Sequence, residues 1–272
     1  MKNLSLNALI GGFLVGLFVL VAIMGTFWTP YDPMVLNMKA RLAAPSASHL
    51  LGADEFGRDV LSRIMRGASA SGVVSLFTVT IATIVGTTLG AVSGYLGGWT
   101  DRTLSAVTNA LLAFPGILLA LGLLAVFGAN KYGIVLALGI AYTPSVARIV
   151  RGTVLSLRER EFIEASRIAG DSGLYTLLRH ILPNCIAPLT VLTTSMFGWT
   201  ILSESALSFL GLGVPPPAPT WGNMLAGARP YLSQAMWLGI FPGLCISAAL
   251  LGVNLLGDAL RDRLDPKMRS MQ

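Results

Sequence analysis

The sequence predicts an all-α membrane protein with about six transmembrane helices, and three observations support this fold class. Apolar residues make up 54% of the 272 residues and charged residues only 12%. The mean hydropathy of +0.71 lies far outside the range of soluble globular domains. Six windows contain no Asp, Glu, Lys or Arg, and a helix needs only about 20 apolar residues to span a bilayer.

The six windows predict spans, in chain order, at residues 7–27, 69–96, 104–128, 132–152, 184–209 and 236–257. The fourth window is the shortest, but it continues as "RIVRGTVLSL", which suits a helix running out of the membrane into solvent. The first follows Lys2 like a signal peptide, yet it is as long as a full span and has no clear small-residue cleavage site. We therefore expect residues 1–68 to form a retained signal-anchor span with an extracytoplasmic segment, followed by a membrane core at 69–272.

The distribution of basic residues predicts the orientation of the chain. With six spans, twelve of the 19 lysines and arginines fall on the side of the N-terminus, and seven fall on the opposite side. Loops rich in Lys and Arg stay in the cytoplasm. Both termini and the loop at residues 161–183 are therefore predicted to be cytoplasmic.

The remaining composition argues against several functional classes. The net charge is +6, but the basic residues flank the spans and form no stripe with interleaved aromatics, so nucleic-acid binding is not expected. Cys185, Cys245, His49 and His180 are isolated, which predicts no metal site, redox pair or catalytic constellation. The sequence contains no phosphate-binding loop. We expect no cofactor and no catalysis by this chain.

The stretch "EFIEASRIAGDSGLYTLLRHILP" at 161–183 is too polar to enter lipid, and we call it the central loop. Its first turns carry acidic residues, which complement a helix dipole, and Gly170 is expected to end this helix. Asp171 and Ser172 are good caps for a second, amphipathic helix, which Pro183 is expected to close. These features fit either a solvated connector on the membrane surface or a helical docking element for a cytoplasmic partner.

The central loop resembles the EAA loop of ABC import permeases, whose pattern is Glu-Ala-Ala, three residues, Gly, nine residues, then an apolar residue and Leu-Pro. Ser166 replaces the second alanine, and His180 stands where the pattern prefers an apolar residue. The residues that match in type and spacing are Glu164, Ala165, Gly170, Leu182 and Pro183.

Three further blocks resemble the C-type permease of the dipeptide, oligopeptide and nickel importers: "LGADEFGRDVLSRIMRGASAS" at 51–71, "SESALSFLGLGVPPPAPTWGNML" at 203–225 and "NLLGDALRDRLDP" at 254–266. The resemblance implies a type I ABC importer permease fold in the inner membrane. It implies a sister permease, two cytoplasmic ATPases and an extracytoplasmic substrate-binding protein as partners, with a small peptide as cargo; nickel or a nickel chelate is the alternative.

In this family the EAA helix sits in a cleft of an ATPase and transmits its closure to the spans. The resemblance therefore implies a coupling role for Glu161, Glu164, Ala165, Ser166, Arg167, Gly170, Leu182 and Pro183. An ion-coupled secondary transporter is the rival from another class, but it would be expected to carry inverted repeats and intramembrane ionisable residues. A structural membrane anchor would leave the shaped central loop unexplained.

Three features allow more than one interpretation. Glu204 is the one acidic residue in a predicted membrane window, near its outer end, where it would line an outward vestibule on the substrate path or cap a turn. Gly86, Gly90 and Gly94 form a small-residue stripe for close helix packing, within this chain or against the sister permease. Residues 46–68 fit an outer-surface helix or a contact for the binding protein.

Overall fold

The computed structural model describes residues 6–264, and this portion of the chain contains helices and no β-strand. Lys2 and the last two residues of the block at 254–266 lie outside it. The all-α prediction is confirmed. The helices are α1 (Leu6–Phe27), α2 (Val60–Leu96), α3 (Gly98–Leu112), α4 (Gly116–Phe127), α5 (Lys131–Leu157), α6 (Glu161–Ile168), α7 (Gly173–Thr176), α8 (Leu182–Phe209), α9 (Trp221–Ala228) and α10 (Trp237–Leu264).

Five of these helical segments are long and apolar enough to cross a membrane, and they coincide with five predicted spans. The third predicted span, at 104–128, is bent: α3 and α4 meet at an angle of 96°. The break falls at residues 113–115, where Pro115 precedes α4 as its N-cap. A proline disfavours helical backbone at the residue before it, so Phe114 cannot readily continue α3.

The bent pair α3–α4 nevertheless crosses the molecule once. Near the start of α3, Asp101 accepts a hydrogen bond of 2.6 Å from Ser93, close to the C-terminal end of α2. Just after α4, Ala129 lines the same cavity as Val60 at the N-terminal end of α2. The pair therefore runs from one end of α2 to the other, which gives six crossings within residues 6–264.

The two described ends of the chain lie on the same face as the central loop. A β-carbon at Gly11 in α1 would lie 2.6 Å from the backbone nitrogen of Leu256, near the C-terminal end of α10. Gly257 of α10 faces Thr194 in the first half of α8, and Tyr95 at the end of α2 approaches Gly173. We call this side the loop face and the opposite side the far face.

The glycine stripe of α2 packs against α5 of the same chain. A β-carbon at Gly86 would lie 2.5 Å from Cβ of Val146, and one at Gly94 would lie 3.0 Å from Cβ of Val154. Gly90 contacts the backbone of α5 at Ala147. Small residues allow helices to approach closely in lipid, where van der Waals packing drives association. The partner left open by the sequence is therefore α5.

The predicted helix at 46–68 is only partly present. Residues 46–59 form turns, and α2 begins at Val60 with Asp59 as its N-cap; its carboxylate accepts a bond of 2.8 Å from the backbone N–H of Ser62. Gly52 and Gly57 have φ values of +80° and +73°, in the left-handed region that interrupts a helix. The segment 28–59, which we call the N-terminal loop, thus folds over the start of α2 on the far face.

Candidate functional site

The first half of the central loop is helix α6, which is anchored by two side chains. Ile163 and Ser166 are buried, whereas Glu161, Glu164, Ala165 and Arg167 are exposed. After α6, Gly170 has a φ of +87°, the conformation that ends many helices and that glycine adopts without strain. The predicted end of this helix at Gly170 is confirmed.

Ser166 joins α6 to the next helical turn. Its hydroxyl donates a bond of 2.6 Å to Asp171 and lies 3.2 Å from the hydroxyl of Thr176, which is fully buried. Ser172 caps α7 as expected, since its hydroxyl accepts a bond of 3.3 Å from the backbone N–H of Tyr175. Asp171 is occupied by Ser166 instead of capping. The serine that departs from the EAA pattern thus braces the turn of the central loop.

The prediction that Pro183 closes the second helix was wrong. Residues Leu177–Ile181 form a π-helical turn, and the N–H of Leu182 bonds to the carbonyl of Leu177, five residues earlier. Pro183 then lies in the first turn of α8, where a missing backbone N–H is tolerated. The central loop therefore continues without a flexible connector into the span α8.

The surface of the central loop carries several large exposed apolar side chains outside the predicted membrane spans. Ile168 has 82% of its surface exposed and Leu174 has 67%. Apolar surface of this kind, bordered by polar residues, marks an interaction site. The spacing of apolar residues in the second helix of the central loop did not predict that Leu174 and Leu178 are exposed while Ile181 is buried. We call the following set the loop patch: Phe162, Ile168, Leu174, Tyr175 and Leu178.

Glu204 lies apart from the central loop, toward the far-face end of α8, and is completely buried. Its two carboxylate oxygens accept bonds of 2.9 Å from the hydroxyl of Ser71 in α2 and 2.7 Å from that of Ser208. Buried polar groups are stable only when they are hydrogen-bonded. In this conformation the carboxyl group ties α8 to α2.

Replacing Glu204 by alanine is expected to lower the free energy of unfolding by about 3 kcal/mol, because two buried serine hydroxyls lose their acceptor and a cavity forms. Glu204→Gln keeps a hydrogen-bond acceptor and the volume of the side chain. It should therefore lower the free energy of unfolding by less than half as much as the alanine substitution. Thermal unfolding of the purified variants in detergent measures both. Equal melting temperatures for the alanine variant and the wild type would contradict the structural role, while slowed uptake by a stable Glu204→Gln protein would favour the substrate-path prediction.

A second polar group lies on the far face, where the N-terminal loop meets α2. Asp54 binds two arginines: its Oδ2 lies 2.7 Å from Nε of Arg58 and 3.3 Å from Nε of Arg63. The neighbouring Glu55 touches Arg58 at 3.4 Å. These side chains form one wall of a cavity of about 400 Å³. Sequence reasoning left them out because the opposite wall comes from residues about 150 positions away in the chain.

No group of three His, Cys, Asp or Glu side chains that could hold a metal ion occurs between residues 6 and 264. The two cysteines are not bonded to each other, and Cys185 is buried. Apart from the ion pairs Asp101–Arg151 and His49–Asp59, the main polar features of residues 6–264 are thus the central loop, the buried Glu204 and the charged cavity on the far face.

Comparison with known proteins gives one consistent family. Residues 86–270 match the model of the binding-protein-dependent transport system inner membrane component. The dipeptide transport system permease protein DppC of Alkalihalophilus pseudofirmus is 44% identical over 99% of this chain and 89% of its own length. The glutathione transport system permease protein GsiD of Pectobacterium atrosepticum is 43% identical over 94% of this chain and 86% of its own.

Among solved structures, a chain of the MetNI methionine ABC transporter in an inward facing conformation superposes with a TM-score of 0.61. The match covers 74% of this chain and 96% of that chain at 17% sequence identity. The likeness at this level of identity concerns the fold, which is that of an ABC transporter membrane subunit.

Proposed function

The chain belongs to the family of inner membrane components of binding-protein-dependent transport systems, and from this premise we propose that it forms the translocation path for a small peptide together with a sister permease. It is a multi-pass permease subunit of an ABC importer, and ATP hydrolysis is the work of partner subunits. The peptide cargo is supported by the relatives, which are named for dipeptide and glutathione transport. Neither of these names favours nickel.

The partner set follows from the family and from the shape of the loop face. A substrate-binding protein and an ATPase belong to any such importer; a heterodimer with one sister permease and two ATPases is the assembly we propose. The observation that carries the ATPase contact is the central loop itself. It presents the loop patch and a polar rim of Glu161, Glu164 and Arg167 while Ile163 and Ser166 fix it from below.

The proposed coupling follows from the connection to α8. Because the helical turn after Gly170 runs through Ile181 into α8 without a break, displacement of the loop by a closing ATPase would move the span. Such an element has two states that nucleotide binding biases. In this proposal Glu164 and Arg167 make contacts at the rim of the ATPase cleft, and exposed Ala165 permits close approach.

The proposed orientation places the loop face in the cytoplasm. Two independent arguments support it: the excess of Lys and Arg on the loop-face side of the sequence, and the need of a cytoplasmic ATPase to reach the central loop. Since both described ends of the chain lie on the loop face, both termini would be cytoplasmic as well.

Cysteine cross-linking tests the ATPase contact. In a variant whose Cys185 and Cys245 are replaced by alanine, we expect a cysteine at exposed position 165 or 168 to cross-link to a cysteine in the ATPase cleft, with a yield that depends on nucleotide. Leu50→Cys is the matched control, because Leu50 is exposed but lies on the far face. Absence of a link at both loop positions in an assembled, inserted complex would remove the docking proposal and reopen the secondary-transporter alternative.

A further inference from the structure

The cavity on the far face has walls of different chemistry. One wall is charged and consists of Asp54, Glu55, Arg58 and Arg63 from the N-terminal loop and the start of α2. The opposite wall comes from the segment 211–218 after α8, which has no charged side chain, and from α9. Ligand sites in proteins typically have about 300–1,000 Å³ and a few polar groups on an apolar surface. A cavity of about 400 Å³ is thus large enough for a short peptide.

The two arginines of the charged wall are held in place, but not all of their N–H groups have a hydrogen-bond acceptor. Asp54 binds Nε of both guanidinium groups, and Arg63 donates one further bond of 3.0 Å to the carbonyl of Pro33. Phe56 lies under the guanidinium of Arg58 at 4.6 Å. A guanidinium has five N–H groups, of which the contacts within residues 6–264 engage two in each arginine. Both side chains can therefore donate to an additional acceptor.

Glu55 is the loosely held member of the wall. Its only ion pair within the described chain is the 3.4 Å contact with Arg58, at the long limit for a hydrogen bond. Burial raises the pKa of this carboxyl group above its usual range, and neighbouring Asp54 contributes in the same direction. The negative charge of Glu55 is therefore incompletely compensated, and a cation in the cavity would stabilise it. A β-carbon at Gly227 of α9 would lie 3.5 Å from Oε1 of Glu55, so this turn of α9 borders the carboxylate closely.

We propose that this cavity binds a zwitterionic solute, with its ammonium group at Glu55 and its carboxylate at the free N–H groups of Arg58 and Arg63. A simple anion would meet the charge of Glu55, and a simple cation would meet two guanidinium groups. Only a ligand that carries both a positive and a negative charge can pair with Glu55 and with the two arginines at once. The apolar segment with Val214, Pro215 and Pro216 would contact side chains without distinguishing among them.

The proposal rests on the proposed function, because a short peptide with free termini is such a zwitterion. It adds a site within this chain that recognises the charged ends of the solute on the far face. Both arginines pair with Asp54 and so stabilise the N-terminal loop. Glu55 is therefore the residue to change. Glu55→Gln removes the charge and keeps the shape.

The test uses the purified complex of both permeases and the ATPases in lipid nanodiscs, without the binding protein. Equilibrium dialysis measures binding of radiolabelled L-alanyl-L-alanine. We expect saturable binding to the wild type and about tenfold weaker binding to Glu55→Gln, the loss expected for one charge-assisted hydrogen bond. The control is Asp32→Asn, since Asp32 is exposed on the same N-terminal loop outside the cavity and should leave binding unchanged.

A second ligand makes the result independent of the folding of the variant. N-acetyl-L-alanyl-L-alanine lacks the ammonium group, so it should compete about tenfold more weakly than the free dipeptide on the wild type and should not distinguish the wild type from Glu55→Gln. Absence of saturable dipeptide binding to the wild type, or equal competition by both peptides, would overturn the proposal. Uptake of the same dipeptide by the complete transporter separates the two claims: normal uptake with no cavity binding defeats only the cavity, and no uptake defeats the peptide cargo.

Discussion

Glu164→Lys is expected to leave the protein folded and inserted while reducing ATP-driven peptide uptake by tenfold or more. Glu164 is exposed on α6, with no ion pair within residues 6–264, so reversal of its charge costs the fold little. At a docking rim, reversal of one charge replaces attraction by repulsion, and each ~1.4 kcal/mol corresponds to about a factor of ten. Uptake into proteoliposomes and ATPase activity, both with binding protein present, measure the effect.

The control for this prediction is Glu159→Lys, an exposed glutamate that precedes α6. It makes the same charge change within two turns of Glu164 but outside the proposed rim, and it should transport normally. Gly170→Pro adds a conformational test, because proline cannot adopt the φ of +87° found there. Uptake at the wild-type rate by both Glu164→Lys and Gly170→Pro would contradict the coupling role of the central loop.

Gly90→Leu is expected to have the largest effect on stability. A β-carbon at Gly90 would lie 2.9 Å from Cβ of Val150 and still closer to the carbonyl of Ala147, and backbone cannot move aside as a side chain can. Overpacking of this kind costs about 3 kcal/mol or more when helices must separate. We expect a lower melting temperature in detergent and less folded protein in the membrane.

The matched control is Gly12→Leu, in a glycine of α1 with open space around its α-carbon. It adds the same side chain to a spanning helix and should keep the melting temperature within a few degrees of the wild type. If Gly90→Leu were as stable as Gly12→Leu, the close approach of α2 and α5 would be incorrect.

The spans were predictable because charge-free length alone defines them, and the bend at Phe114 and Pro115 was not. The half after the break is strongly apolar and the half before it carries no charge after Arg102, so the charge-free window runs across the break without interruption. Pro183 misled the prediction for a related reason: a proline ends one helix and starts another equally well. Only the π-helical turn before it, invisible in residue types, shows that the helix continues.

The candidate functional residues also fall into two groups, those that could be predicted from the sequence and those that could not. The central loop could be proposed as a site from the sequence because the spacing of its residues is local and carries a known resemblance. The environment of Glu204 was not predictable, since its partner Ser71 is 133 residues away in the chain. The charged cavity was not predictable for the same reason, because Glu55 becomes part of a cavity only once α9 packs next to it. Local signals in the sequence thus identify segments, whereas burial depends on which distant helices meet.

The unbroken run from Gly173 to Phe209 makes a lever of 37 residues, about 55 Å long at the helical rise of ~1.5 Å per residue. A rotation of about 5° at one end of such an arm sweeps the other end through about 5 Å. That displacement is longer than any hydrogen bond. The bond from the hydroxyl of Ser71 to Glu204 lies near the moving end and would be broken by it. If the central loop couples to an ATPase as proposed, a small angular displacement of this loop would be enough to pull α8 away from α2 on the far face.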